Sequence, residues 1–388
     1  MDFTVEFPVK ISRKSSSTRS SESFASHSQS SDSIGQEATP NSPLAIPQVH
    51  LPDLATYEQE ESLQYEKIYY ISKCSNISPE NFTDKQGNFI GIPGDHIAHR
   101  YEILNFLGRG AFAQVFECLD HKLQEKVAIK ILNKKALFTQ SGKNENNLLN
   151  SLNESGEDEW LLKKFSSFEF RGHFCIVFEI LSLNLYQMLK QNYFKGLSME
   201  VIKKIAVGVL NTLKVLHGIG YVHCDLKPEN LMLKNGKINC WKIIDFGSAL
   251  CSTKELIEYV QSRPYRAPEV VLGCQYNEKV DVWSLGCVLF ECFQGTQLFP
   301  AEDERELLLM MQDTIGRADP GLIDRARFRE LYFRNGVVQG EHWRNKKLNT
   351  LLASNDGNFV DFISKCLKWS PDERISAESG LSHPWISS

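Results

Sequence analysis

Among its ten cysteines the 388-residue chain has no Cys-x-x-Cys pair and no metal-ligand spacing. That excludes a zinc module or a disulfide framework and leaves reduced, mostly buried thiols, as in a cytosolic or nuclear compartment. No apolar run approaches the length of a membrane span. The opening residues, Met1-Asp2-Phe3-Thr4-Val5-Glu6-Phe7, lack the apolar centre of a secretory leader. Positive charge is not in excess: the net charge is −5, without the clustered basic face that a nucleic-acid binder needs. Internal repeats are absent. These absences predict a soluble intracellular protein, cytoplasmic or nuclear, with no nucleic-acid or membrane partner; a monomer is expected. What is there is an ordinary globular composition, 42% hydrophobic and 23% charged, over a length that suits two to three domain-sized units.

Serine dominates residues 12–33, and prolines begin at Pro40. Such a stretch buries too little apolar surface to offset its ordering entropy, so residues 1–48 are expected to be disordered. Residues 49–100 carry two ordered patches. Leu54 to Glu61 reads as a helical turn, and Ile68-Tyr69-Tyr70-Ile71 as a short strand. A second patch runs from Phe89 to Ile97. Neither has catalytic residue types, and both are expected to pack on a neighbouring domain. Residues 101–181 read as a small β-rich lobe with one helix. From residue 182 to 388 the pattern is helical, with Ile202, Ile205, Ala206, Val209, Leu210 and Leu213 at helical spacing. The fold class is α+β.

The chemistry is concentrated in His223-Cys224-Asp225-Leu226-Lys227-Pro228-Glu229-Asn230, with Asp245-Phe246-Gly247 twenty residues beyond Asp225. Asp-Leu-Lys-Pro-Glu-Asn could cap a surface helix, but six specified residues recur by chance about once in many million positions. The two stretches match the catalytic and metal loops of a protein kinase, where catalysis is positioning plus charge neutralisation. In that plan Asp225 accepts the proton of the attacking hydroxyl and Lys227 neutralises the transferred phosphate. Asn230 and Asp245 hold magnesium.

Upstream, Leu107-Gly108-Arg109-Gly110-Ala111-Phe112-Ala113-Gln114-Val115 is a glycine-rich turn that lets backbone N–H groups approach phosphates. Alone it is weak, since glycine turns are common. Val127-Ala128-Ile129-Lys130 follows, and a lysine ending a buried apolar strand calls for a carboxylate and phosphates. Glu145, Glu154, Glu157 and Glu159 are candidate partners. Glu145 is preferred on register, although its surroundings are polar and form helix poorly. Phe178 is expected to close the pocket behind the adenine of ATP, Glu179 and Leu181 to bond its edge, and Leu107, Val115, Ala128 and Met232 to sandwich the ring. Farther on, Asp281 is expected to anchor the catalytic-loop backbone and Arg374 to pair with Glu269.

Several stretches resemble the dual-specificity tyrosine-regulated kinases, within the CMGC group. They are Gln261-Ser262-Arg263-x-Tyr265-Arg266-Ala267-Pro268-Glu269, Phe178 to Tyr186, and Ile244-Asp245-Phe246-Gly247-Ser248. Gln86-Gly87 through Arg100-Tyr101 looks like that family's homology box. Thr56-Tyr57-Glu58 with Tyr65-x-x-Ile68-Tyr69-Tyr70 looks like the accessory segment of its class II branch. The resemblance implies a bilobal protein kinase fold with an N-terminal accessory segment. It further implies ATP and Mg2+ as cofactors and protein substrates phosphorylated on serine or threonine, with tyrosine autophosphorylation of the activation segment. Tyr259 is the tyrosine concerned, and Arg263 and Arg266 are to read its phosphate because Cys224 replaces the arginine many kinases use. This chain departs from the family at Ile257, Pro264 and Ala113, and Pro264 puts the residue preferred after the phosphoacceptor in doubt. The competing readings are a pseudokinase scaffold, supported by the weak helix around Glu145, and another CMGC kinase.

Overall fold

The computed structural model describes residues 44–45, 54–72, 82–156, 159–234, 240–252, 259–340, 347–353 and 356–388. The serine-rich stretch, Glu157 and Ile257 lie outside the described residues. The described chain falls into two compact units. One holds the residues up to Lys134 together with Glu169–His173, and the other holds Lys135–Phe168 with Phe174–Ser388.

The first unit is built on an antiparallel meander of β1 (His96–Ile97), β2 (Tyr101–Arg109), β3 (Ala113–Asp120) and β4 (Glu125–Leu132). Alternation of side chains puts Tyr101, Ile103, Phe116, Cys118, Val127, Ile129 and Ile131 inside. The expected hairpin turn at 107–115 is shorter than read: the strands claim most of it, and Gly110 N bonds Ala113 O at 2.9 Å across the tip. A bidentate pair, Arg100 to Asp120 at 2.6 and 2.9 Å, ties the start of β2 to the end of β3.

Residues 54–100 pack onto this meander. Helix α1 (Thr56–Ser62) begins where Glu58 accepts the Ala55 N–H at 3.0 Å. The expected strand at Ile68–Ile71 is paired only at Lys67–Ile68; Tyr69 and Tyr70 instead give their N–H groups to the one carbonyl of His99. Phe89 meets Phe116 edge to face, and Tyr70 stacks on His121 at 4.3 Å. At the centre lies Arg171, whose guanidinium bonds Glu61 at 3.1 Å and Asp95 at 3.2 Å and lies 3.8 Å over the Phe82 ring. His96 and His99 stack at 3.8 Å beside it, both fully buried.

The second unit opens with α2 (Ala136–Asn153), an 18-residue helix in spite of its polar composition. Buried Gly142, Glu145, Leu148, Leu149 and Leu152 form one face, and that tertiary packing overrides weak propensity. Strands β5 (Lys164–Phe170) and β6 (His173–Glu179) follow, and then α3 (Leu185–Gln191) and α4 (Met199–Gly218). Ser198 caps α4, and its apolar stripe from Ile202 to Leu216 is wholly buried. Gly208 sits where a Cβ would stand 2.8 Å from Trp241 O, so only glycine lets α4 approach the short strand Trp241–Ile243. Beyond lies α5 (Lys279–Gln294), buried almost throughout, with Trp283 stacked on Phe299. Helices dominate the remainder as expected, apart from a two-residue hairpin of Phe333–Arg334 with Val337–Val338. Arg374 and Glu269, both without exposed side-chain surface, form a bidentate pair at 2.7 and 3.0 Å.

Burial, together with the neighbouring Arg171 charge, lowers the His96 ring to about 3; burial and the His96 charge lower His99 to about 3 as well. A base whose folded value lies below its unfolded one favours the folded state when neutral. Stability is therefore present above the unfolded value near 6.5 and is lost as pH falls from there toward 3. Each histidine contributes a slope of about 1.4 kcal/mol per pH unit in that window. Thermal unfolding between pH 7.5 and 5.5 is expected to show falling stability, with a shallower slope in His99→Phe. A slope unchanged by that substitution would contradict the assignment.

Candidate active site

Asp281, fully buried on α5, holds the catalytic loop by its backbone. Its Oδ2 accepts the His223 N–H at 2.8 Å and its Oδ1 accepts the Cys224 N–H at 3.0 Å, and His217 Nε2 lies 3.0 Å from Oδ2. Cys224 has φ +65°, a conformation that costs energy for any side chain, and the two bonds to Asp281 fix the peptide that enters it. The turn presents Asp225. Lys227 Nζ donates to Asp225 Oδ2 at 2.8 Å, and the Ser262 hydroxyl donates to Oδ1 at 2.8 Å. Lys227 Nζ also reaches Ser262 Oγ at 3.2 Å, closing a triangle. Asn230 Nδ2 donates to Asp225 O at 2.9 Å and to Oδ2 at 3.2 Å, which fixes the amide.

The metal loop is registered on the same turn. Ile244 N donates to Asn230 O at 2.9 Å, and His223 Nε2 lies 3.2 Å from Ile244 O. Asp245 is held at φ +60°, a second strained residue. Its carboxylate and the Asn230 side-chain oxygen offer hard donors of the kind magnesium takes. Glu145 is buried on α2 near this loop: a Cβ on Gly247 would stand 3.7 Å from Glu145 Oε2, and Ser141 Oγ donates to Gly247 O at 3.3 Å. Of the alternatives, Glu154 and Glu159 are exposed. The helix whose weakness supported a scaffold reading is therefore fully formed.

In the first unit, β3 and β4 set Val115 directly opposite Lys130, and Glu117 opposite Ala128. Leu107, Gly108 and Arg109 end β2, while Ala111 and Phe112 form the hairpin tip with Ala113 and Gln114 beginning β3. A Cβ on Gly110 would meet only Ala113 O, at 3.9 Å, so the tip leaves room for a phosphate. In the second unit Phe178 and Glu179 end β6, with Leu181 two residues on. Met232 lies on the short strand Leu231–Leu233, paired with Lys242 and bridged to Asn184.

The activation segment places Tyr259 against Arg266 and, through Glu304, links it to Arg263. Its hydroxyl donates to Glu304 and accepts from Arg266 Nη1, and the Arg266 guanidinium lies 4.0 Å over its ring. Arg263 Nε bonds the same Glu304 oxygen at 3.1 Å. Burial and the Glu304 bond push the Tyr259 hydroxyl up to about 12, so it stays a donor at neutral pH. Sequence reasoning missed Ser262 as a partner of Asp225, Glu304 as the carboxylate between the arginines, and Lys242 beneath Glu179. Only Lys242 left a signal, as the one lysine in the apolar run Trp241-Lys242-Ile243-Ile244.

A carboxylate held at two oxygens by a lysine and a hydroxyl, beside an amide and a second carboxylate, suits a hydroxyl nucleophile attacking a metal-bound phosphoryl group. Asp225→Asn keeps the shape and removes the base. Steady-state kinetics are expected to show turnover lower by roughly 10²–10⁴-fold, with nucleotide affinity retained. Full activity in that variant would refute the role.

Residues 101–386 match the protein kinase domain family. Dual specificity tyrosine-phosphorylation-regulated kinase 3 of Rattus norvegicus is 34% identical over 410 residues, covering 94% of this chain and 70% of the relative. Dual specificity tyrosine-phosphorylation-regulated kinase 4 of Homo sapiens is 37% identical over 354 residues, covering 86% and 68%. Serine/threonine-protein kinase ppk5 of Schizosaccharomyces pombe is 37% identical over 355 residues, 86% of this chain and 42% of the relative. With these likenesses the loop geometry has one reading: the chain belongs to the dual-specificity tyrosine-phosphorylation-regulated family of CMGC protein kinases, bilobal enzymes that use ATP and Mg2+ to phosphorylate proteins.

Proposed function

We propose that this kinase matures by phosphorylating its own Tyr259 and then acts on serine or threonine followed by proline, with a basic residue upstream. The observation that carries the first half is the grouping of Tyr259, Arg263, Arg266 and Glu304. A phosphate on Tyr259 adds roughly −1.5 to −2 charge at neutral pH. The Arg266 guanidinium already bonds the hydroxyl and Arg263 shares its Glu304 partner, and charge-assisted bonds are about twice as strong as neutral ones. In this reading Lys130 and Glu145 are catalytic residues, Asn230 and Asp245 hold Mg2+, and Lys227 steadies the transferred phosphate. Residues 107–115 and Ala128 serve ATP, as do Phe178, Glu179, Leu181 and Met232.

The proline preference is supported by Gln261. Its φ is +68°, and its carbonyl accepts from Arg266 Nη2 at 2.7 Å. Its side chain is pinned by Val280 O at 3.0 Å, Ser284 Oγ at 2.8 Å and Ala267 N at 2.9 Å. That carbonyl is engaged within the segment, away from the N–H of the residue after the phosphoacceptor. Proline has no such N–H to leave unsatisfied. The basic preference is supported by Glu291, which bonds the Tyr265 hydroxyl at 2.7 Å. Burial, with the Glu229 charge added, raises its carboxyl to about 7, and a substrate guanidinium would restore its ionisation.

The packing of residues 54–100 supports the class II assignment. Among the described residues no helix is long and apolar enough to cross a membrane. None of the described cysteines forms a disulfide, which supports a reducing compartment, cytoplasmic and nuclear. We propose a monomer with no nucleic-acid partner.

The test of maturation is mass spectrometry of protein made in a bacterium that lacks tyrosine kinases. Tyr259 is expected to carry phosphate in the wild type and none in Asp225→Asn, and Tyr259→Phe is expected to fold with much lower activity. Active wild-type protein with unmodified Tyr259 would sink the proposal. A degenerate peptide library is expected to enrich proline after the phosphoacceptor and arginine before it; a flat profile at both positions would remove the substrate reading.

A further inference from the structure

Lys242 is the middle residue of the short strand Trp241–Ile243, and its side chain has no exposed surface. Its Nζ donates to Glu179 Oε1 at 2.7 Å and to Leu161 O at 2.6 Å. Glu179 is held from other sides as well. Lys234 Nζ lies 2.9 Å from Oε2, and the Lys163 N–H donates to Oε1 at 2.9 Å. The Glu179 N–H in turn donates to Lys163 O at 3.0 Å. Both the main chain and the side chain at the end of β6 are thus fixed. Despite burial, which raises it, bonds from Lys242 and Lys234 hold the Glu179 carboxyl below the usual range, as an acceptor for both.

A buried ammonium costs several kcal/mol in desolvation even when paired, and an apolar side chain of similar volume would avoid that cost. Trp241 and Ile243 on either side are buried and apolar. The use of a charge here therefore lies in geometry. Lys242 stands three residues before Asp245, on the strand that leads to the metal loop. We propose that Lys242 is a positioning residue for nucleotide: it locks Glu179, and with it the backbone from Glu179 to Leu181, to the strand that leads to Asp245. The inference rests on the reading of that backbone as the edge that recognises adenine.

The experiment uses the full chain and compares ATP kinetics with the affinity of adenosine, which has no phosphates. In Lys242→Met the KM for ATP is expected to rise roughly tenfold, while kcat stays within about twofold. Adenosine affinity by calorimetry is expected to weaken by the same factor as KM. Adenosine binding equally to wild type and Lys242→Met would overturn the proposal, as would a fall in kcat with KM unchanged. Should Lys242→Met fail to fold, Lys242→Met combined with Glu179→Met leaves no unpaired charge inside. That pair is expected to fold and to weaken adenosine likewise, and wild-type adenosine affinity in it would overturn the proposal. If adenosine does not bind the wild type at all, the adenine reading itself is wrong and the role of Lys242 falls with it.

Discussion

Two hydrogen bonds from one carboxylate hold the chemistry in place. Asp281 accepts the N–H groups of His223 and Cys224 from inside α5, fixing the peptide that leads into the left-handed backbone of Cys224. The next residue is Asp225, so the direction in which the base points is set by the preceding strained peptide. Everything else in the loop is registered on that turn: Asn230 bonds Asp225, Ile244 bonds Asn230, and Asp245 follows. A strained conformation persists only where its surroundings over-determine it. Here the surroundings are a helix buried almost throughout, which is why a residue nearly sixty positions away governs the aim of the catalytic carboxylate.

Much of this was readable from residue order alone. The loop from His223 to Asn230, the metal loop at Asp245, the anchor Asp281 and the Glu269–Arg374 pair are short motifs whose chemistry demands particular types at particular spacing. The strands at Val127–Lys130 and Cys175–Phe178 were readable as short apolar runs rich in β-branched residues. Less readable was α2, because its stability comes from Leu148, Leu149 and Leu152 packing inward rather than from the helix propensity of its asparagines and glycine. The strand expected at Ile68–Ile71 failed for a related reason. Tyr69 and Tyr70 have strand propensity, but the carbonyl of His99 took both their N–H groups. Glu304 gave no sign at all, since nothing near residue 304 announces an arginine pair some forty positions upstream.

Buried charge recurs with a common logic. Glu269–Arg374, Glu179–Lys242 and the carboxylates around Arg171 each remove ions from water, and none is an economical way to gain stability. Each joins stretches far apart in sequence through directional bonds that tolerate little displacement. Apolar packing alone would hold the same segments together with more slack. For a reaction that depends on placing phosphate, metal and hydroxyl to within a fraction of an ångström, narrower geometry is the more useful property.

Arg171 carries a consequence for heredity. The stretch shared with kinases at large begins at residue 101, yet this guanidinium is partnered by Glu61 and Asp95, which precede it. The edge drawn by sequence likeness therefore runs through a physical unit. A kinase domain transplanted from this chain into a relative would arrive with a cation whose counter-ions had been left behind. A recipient lacking those acids would inherit an uncompensated charge beside Phe82 and Phe170. The cost of a substitution at residue 171 is thus expected to depend on residues 61 and 95.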